Sequence, residues 1–77
     1  MNKEVEKLNF TKENIEKIRR WEEYLRNGSY GNSKDITDTY NQIYEGLRSK
    51  ANYTSCGACL RGRINNMVSS LNEWEKY

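Results

Sequence analysis

Two cysteines three positions apart, Cys56 and Cys59, stand in the segment Thr54-Ser55-Cys56-Gly57-Ala58-Cys59, the run whose residue types are best suited to chemistry. Three kinds of cysteine chemistry fit this spacing. A cysteine at a helix N-terminus has its thiolate stabilised by the helix dipole, which lowers its pKa and favours redox exchange. The strand-then-helix setting of thioredoxin-like sites is missing, however, since nothing before Cys56 reads as a strand. A C-x-x-C pair also supplies two of the four ligands of a structural zinc site. With no histidine and no other cysteine in the chain, such a site closes only when two copies pool Cys56 and Cys59 in a dimer. The third possibility is two reduced cysteines acting as small packing residues.

The same segment supports a reading that does not involve sulfur. A Ser or Thr cap followed by Cys56, Gly57 and Ala58 leaves free backbone N–H groups at a helix start, surrounded by small side chains. Those N–H groups and the helix dipole both favour an anion. Arg61 and Arg63 follow within two turns and carry the fork geometry that binds phosphate oxygens. At 100° per residue they project about 160° apart, so they do not clamp one phosphate together. Tyr53, just before the segment, has a ring on which a base can stack. The lysine and long glycine-rich turn of a phosphate-binding loop are absent. The candidate ligand residues are therefore Tyr53, Thr54, Ser55, Cys56, Gly57, Ala58, Arg61 and Arg63, and the ligand is a nucleotide or another anion. The alternative is a capped helix with two surface arginines.

An enzyme is not expected. There is no histidine to act as general base, no glycine-framed serine elbow, and the carboxylates fall on charged helix faces where nothing tunes their pKa. No cofactor is expected either.

The elements that must position these residues are helical. The chain has 77 residues, no proline and only 35% apolar residues. A domain of this size buries only about 60% of the surface its unfolded chain exposes. The expected fold is therefore a single all-α domain over residues 1–77, with three helices, two of them in a hairpin, and with self-association adding to a small core. The first helix is predicted at 12–26, capped by Thr11, with Phe10 and Ile15 spaced as a hydrophobic staple. Its apolar stripe is Ile15, Ile18, Trp21 and Leu25. Asn27-Gly28 ends it. Residues 27–34 are a loop carrying an isolated Tyr30, which either contacts a partner or folds back on the core edge.

A second helix is predicted at 36–50, capped by Asp35, with Ile36, Tyr40, Ile43, Tyr44 and Leu47 on one face and Gly46 as a mild internal weakness. Residues 51–55 are a short connection. The third helix, 56–76, starts from Thr54 or Ser55 as N-cap. Leu60, Ile64, Met67, Val68, Leu71 and Trp74 form its stripe, with Cys56 on it and Cys59 at its flank. Its opposite side aligns Ala58, Gly62, Asn65 and Ser69, small residues that permit close approach of another helix or simply face solvent. Tyr30, Gly62, Asn65 and Ser69 are the candidate partner contacts, either to another protein or to a second copy. Residues 1–9 read equally as a helical turn or a short strand.

Charge narrows the partners. The 13 basic and 11 acidic residues give a net charge of +2 and are spread without a block of either sign. A nucleic-acid-coating role, which uses a basic stripe, is disfavoured. No run approaches the roughly 20 apolar residues of a membrane span, and residues 1–10 lack the apolar core of a signal peptide. A cytoplasmic location with reduced cysteines is therefore expected.

Residues 41–63, and within them Thr54, Ser55, Cys56, Cys59, Leu60 and Arg61, resemble small phage and prophage proteins in which a tyrosine-containing helix leads through a short loop into T-S-C-x-x-C-[LVI]-R. The resemblance covers about a third of the chain. It implies a phage-encoded accessory protein acting in the host cytoplasm, a class that often counteracts host functions by binding a host protein or sequestering a nucleotide signal.

Overall fold

Thr11 opens the first long helix: its hydroxyl accepts the Asn14 N–H at 3.1 Å, and its carbonyl accepts from Ile15 at 2.9 Å. The computed structural model describes residues 3–76, with side chains from Val5 onward. It is all-helical among those residues. A single turn, α1 (Lys3–Glu6), precedes three longer helices, α2 (Lys12–Arg26), α3 (Ser33–Ile43) and α4 (Gly57–Trp74). No helix among the described residues is long and apolar enough to cross a membrane.

The core is built on α4. Leu60, Ile64, Met67 and Leu71 are fully buried, at the three- and four-residue spacing that puts them on one face. Helices α1, α2 and α3 all pack against this helix. From α2 come Ile18 and Trp21, from α3 Ile36 and Ile43, and from the N-terminal segment Val5 and Leu8. Burial of each such side chain stabilises by about 1.5–3 kcal/mol. Ile15 and Leu25 complete the predicted α2 stripe as half-buried residues at its margin, and Phe10 sets its ring on Trp74 with centroids 5.2 Å apart. The segment 1–9, ambiguous in sequence, is described from residue 3: Val5 of the turn α1 and Leu8 beyond it both join the core.

The second predicted helix is the one the structure redraws. It starts three residues earlier, at Ser33, because Asn32 rather than Asp35 is the N-cap; the Asn32 side chain accepts the Asp35 N–H at 3.0 Å. Asp35 instead accepts from Lys17 of α2 at 2.9 Å. The helix ends at Ile43 rather than at residue 50. Its terminal carbonyls are taken by the N-terminal segment: Asn9 donates its backbone N–H to Ile43 O and its side-chain amide to Gln42 O, both at 3.2 Å. Gly46 then turns the chain with φ +80°, a conformation that costs glycine little and other residues more. Tyr44 and Leu47 keep their predicted inward orientation from this turn, which is why the apolar period runs on past the helix end. The Tyr44 hydroxyl reaches α4, bonding Ser70 Oγ at 2.6 Å and donating to Asn66 O at 3.1 Å.

The loop between α2 and α3 is tight for a steric reason. Gly28 adopts φ +77° just past the α2 C-cap, and Gly31 lies against the indole of Trp21, so that a Cβ there would sit 2.6 Å from Trp21 Cδ1. Trp21 is 3% exposed and has no room to retreat. Gly31→Ala is expected to destabilise the fold by about 1–3 kcal/mol in urea denaturation, as overpacked cores do. Gly62→Ala, which meets open space on the outer face of α4, is expected to be neutral or to stabilise by up to about 1 kcal/mol through helix propensity.

Candidate functional site

The segment 44–56 between α3 and α4 is longer than predicted and runs back along α3 as a strap. Asn41 holds it like a strand partner: its amide donates to Ala51 O at 3.0 Å and its carbonyl oxygen accepts the Ala51 N–H at 2.7 Å. One helical turn toward the start of α3, Asp38 accepts from the Tyr53 hydroxyl at 2.5 Å. These two contacts deliver the chain to the N-terminus of α4. There Thr54 Oγ1 accepts the Cys56 N–H at 3.1 Å, and Cys56 Sγ accepts the Cys59 N–H at 3.2 Å. Cys56 is thus the N-cap of α4, where Thr54 or Ser55 was predicted; Thr54 secures the residue that caps, and Ser55 is exposed.

The two cysteines are not packing residues. Both are exposed, and they are joined as a disulfide with Cα atoms 5.2 Å apart, within the usual range for such a bond. This differs from the reduced pair expected from the sequence. The zinc-bridged dimer raised by the C-x-x-C spacing would need this bond reduced, because zinc ligands are thiolates. Cys56 does not lie on the buried stripe of α4, which begins at Leu60.

Around this helix start the predicted residues divide. Gly57 and Ala58 keep backbone N–H groups that no side chain of the described residues takes up. Arg61 folds its guanidinium back over the first turn: a Cβ on Gly57 would lie 3.2 Å from an Arg61 terminal nitrogen. From the other side Tyr30 leans in, 3.4 Å from the same point at a ring carbon and 3.5 Å at its hydroxyl. Tyr30, predicted as a loop-tip contact or a core-edge residue, is half-buried against the core and borders the TSCGAC opening as well. Sequence reading did not connect it to this segment, since residues 30 and 57 are brought together only by the packing of α2 and α4.

Arg63 is not part of the opening. It turns inward and donates to the hydroxyl of fully buried Thr37 at 2.7 Å, tying α4 to α3. Tyr53 has the exposure expected of a contact residue, at 60%, but its hydroxyl is engaged by Asp38. Gly62, Asn65 and Ser69 are exposed, as is Ala58, so the small-residue face of α4 is left uncovered within the chain.

A cleft of about 420 Å3 lies between α3 and the start of the strap and is lined by Asp38, Asn41, Glu45, Arg48 and Lys50 among others. Its charges are of both signs. Asn41 spends both side-chain groups on Ala51, and the Arg48 guanidinium covers the Tyr44 ring at 4.2 Å. The cleft therefore reads as the seam where the strap leaves α3.

The Tyr53–Asp38 contact has a pH consequence. The hydrogen bond to Asp38, reinforced by desolvation and by the carboxylate charge, raises the Tyr53 pKa above the ordinary 10.0. A folded-state pKa raised above the unfolded one gives stability that is complete below the unfolded value and is lost as pH rises through the folded one. Thermal melts taken from neutral into alkaline solution are expected to fall less steeply for Tyr53→Phe than for the parent. Parallel curves would show that the strap is not held by this bond.

Comparison with known proteins finds no matching family model, no similar curated protein and no similar solved structure.

Proposed function

We propose that the protein is a non-enzymatic binding module that holds an anionic group, a phosphate or the phosphate of a nucleotide, at the N-terminus of α4. The observation that carries this reading is the convergence on Gly57. The guanidinium of Arg61 and the phenol of Tyr30 approach the one residue of the first turn that has no side chain, beside the uncommitted N–H groups of Gly57 and Ala58. Free N–H groups at a helix start, a guanidinium and a hydroxyl are the donors a phosphate oxygen accepts. No acidic residue occupies the first turn of α4, so that turn adds no repulsion to a bound anion. The resemblance to phage accessory proteins fits the same reading, with sequestration of a host nucleotide as its biological form.

Calorimetric titration of the disulfide form with inorganic phosphate, nucleoside mono-, di- and triphosphates and cyclic nucleotides tests this. Saturable heat is expected for at least one of them. Arg61→Ala should weaken it about tenfold or more, the scale of one charge-assisted hydrogen bond. Arg63→Ala should lower the melting temperature while leaving affinity unchanged, because its guanidinium serves Thr37. No heat across the panel, or equal affinity for parent and Arg61→Ala, sinks the reading.

A second reading has its own observation. Ala58, Gly62, Asn65 and Ser69 form an exposed row on the longest helix, a surface suited to a partner helix of a host protein or of a second copy. Light scattering is expected to give a mass above the 9.2 kDa of one chain and to return to that mass for Gly62→Arg. A parent that is monomeric at every concentration removes the self-association form of this reading.

A further inference from the structure

We propose that Cys56 and Cys59 are a redox-active dithiol–disulfide couple, with Cys56 the sulfur that exchanges with external thiols and disulfides. This inference does not depend on anion binding. It rests on where the pair sits. Both cysteines are exposed residues, on the side of the helix start that an external thiolate or disulfide can approach. The bond closes a loop of only a few residues, where a disulfide constrains the unfolded chain least. It also lies outside the buried stripe of α4, which begins at Leu60. The core therefore does not need the bond, and the bond is free to open and close.

The two sulfurs differ in their surroundings, and the difference assigns their roles. Cys56 is the N-cap of an 18-residue helix and already accepts the Cys59 N–H. After reduction the same position presents a thiolate to that N–H and to the positive end of the helix, which lowers its pKa. The charged and titratable groups nearby act in the same direction or are engaged elsewhere. The Arg61 guanidinium lies over Gly57 and the Tyr30 phenol beside it. Arg63 is turned to Thr37, and Asp38 is bonded to Tyr53. Cys59 lies inside the first turn, without the capping position, and suits the role of resolving thiol.

The exchange balances as follows. The Cys56 thiolate attacks one sulfur of an external disulfide, forming a mixed disulfide and expelling one external thiolate. Cys59 then loses its proton to solvent and its sulfur attacks Cys56 Sγ, re-forming the Cys56–Cys59 bond and expelling the second external thiolate. The departing thiolates take up the two protons that the cysteines gave up, so two electrons pass from the protein to the external disulfide. The reverse sequence, driven by an external dithiol, reduces the protein.

The test uses the full chain reduced with dithiothreitol. On addition of glutathione disulfide, Cys59→Ser is expected to accumulate a single stable glutathione adduct at Cys56, seen by intact mass, whereas Cys56→Ser should react about tenfold more slowly. For the reduced parent, the rate of iodoacetamide alkylation at Cys56 against pH should have its midpoint below the roughly 8.5 of a free cysteine. Circular dichroism should show the helices intact on reduction. Equal rates for the two variants, an ordinary cysteine midpoint at Cys56, or loss of helix on reduction would each overturn the proposal, the last by making the bond structural.

Discussion

Every other element of this chain depends on the buried stripe of α4. Leu60, Ile64, Met67 and Leu71 are the residues against which α1, α2 and α3 each place their apolar side chains. With so few apolar residues in the chain, the core has little redundancy. Truncating any one of the four would open a cavity in this shared core, and large-to-small changes at such positions cost about 2–5 kcal/mol. Polar contacts then fix how the elements sit on this stripe. Tyr44 reaches Ser70 and Asn66, Arg63 reaches Thr37, and Arg19 reaches Asn72 and Glu75. The first two join α4 to α3 and its C-cap, and the third joins it to α2.

The strap over residues 44–56 shows how a segment without regular structure is held in register. Asn41 and Asn9 both act as substitutes for backbone. Asn41 pairs with both backbone groups of Ala51, and Asn9 closes the end of α3 by donating to Gln42 and Ile43. Asn9 O in turn accepts from the side chain of buried Asn14, so the end of α3 is tied to the start of α2. The last carbonyls of a helix have no partner within it, and Asn9 supplies donors to two of them. The asparagines make the early stop of α3 tolerable and so leave enough chain to reach the α4 cap.

The periodic elements were the legible part of the sequence. Bounds for α2 agree with its Thr11 cap and Asn27-Gly28 stop, and the α4 stripe was readable from Leu60 to Leu71. The end of α3 was not legible, because the apolar spacing of Tyr44 and Leu47 continues a helical period that the backbone has already left. The deciding residues are Gly46, whose left-handed φ resembles a mild helix defect in sequence, and Asn9, whose partners are 33 and 34 positions away. The cap of α4 was displaced for a related reason: three consecutive residues, Thr54, Ser55 and Cys56, can all accept a first-turn N–H, and propensity alone favours oxygen over sulfur. The disulfide follows from Cys56 occupying the cap, since a cap and the residue three places on face each other across the first turn.

The two arginines show most clearly what a sequence withholds about a site. Helical geometry placed Arg61 and Arg63 on opposite sides of α4, and that holds. It did not say which side is the protein interior. Packing settles this: the stripe from Leu60 to Leu71 turns Arg63 toward α3, where the Thr37 hydroxyl accepts its hydrogen bond in the wall of the core, and leaves Arg61 to fold over Gly57. One arginine therefore serves stability and its near neighbour is left available at the helix start, although composition and spacing treat them alike. The same packing brings Tyr30 across from the α2–α3 loop. The surroundings of Gly57 are thus a product of the tertiary fold, assembled from α4 and the α2–α3 loop, and the TSCGAC segment alone supplies only the backbone N–H groups and the sulfurs.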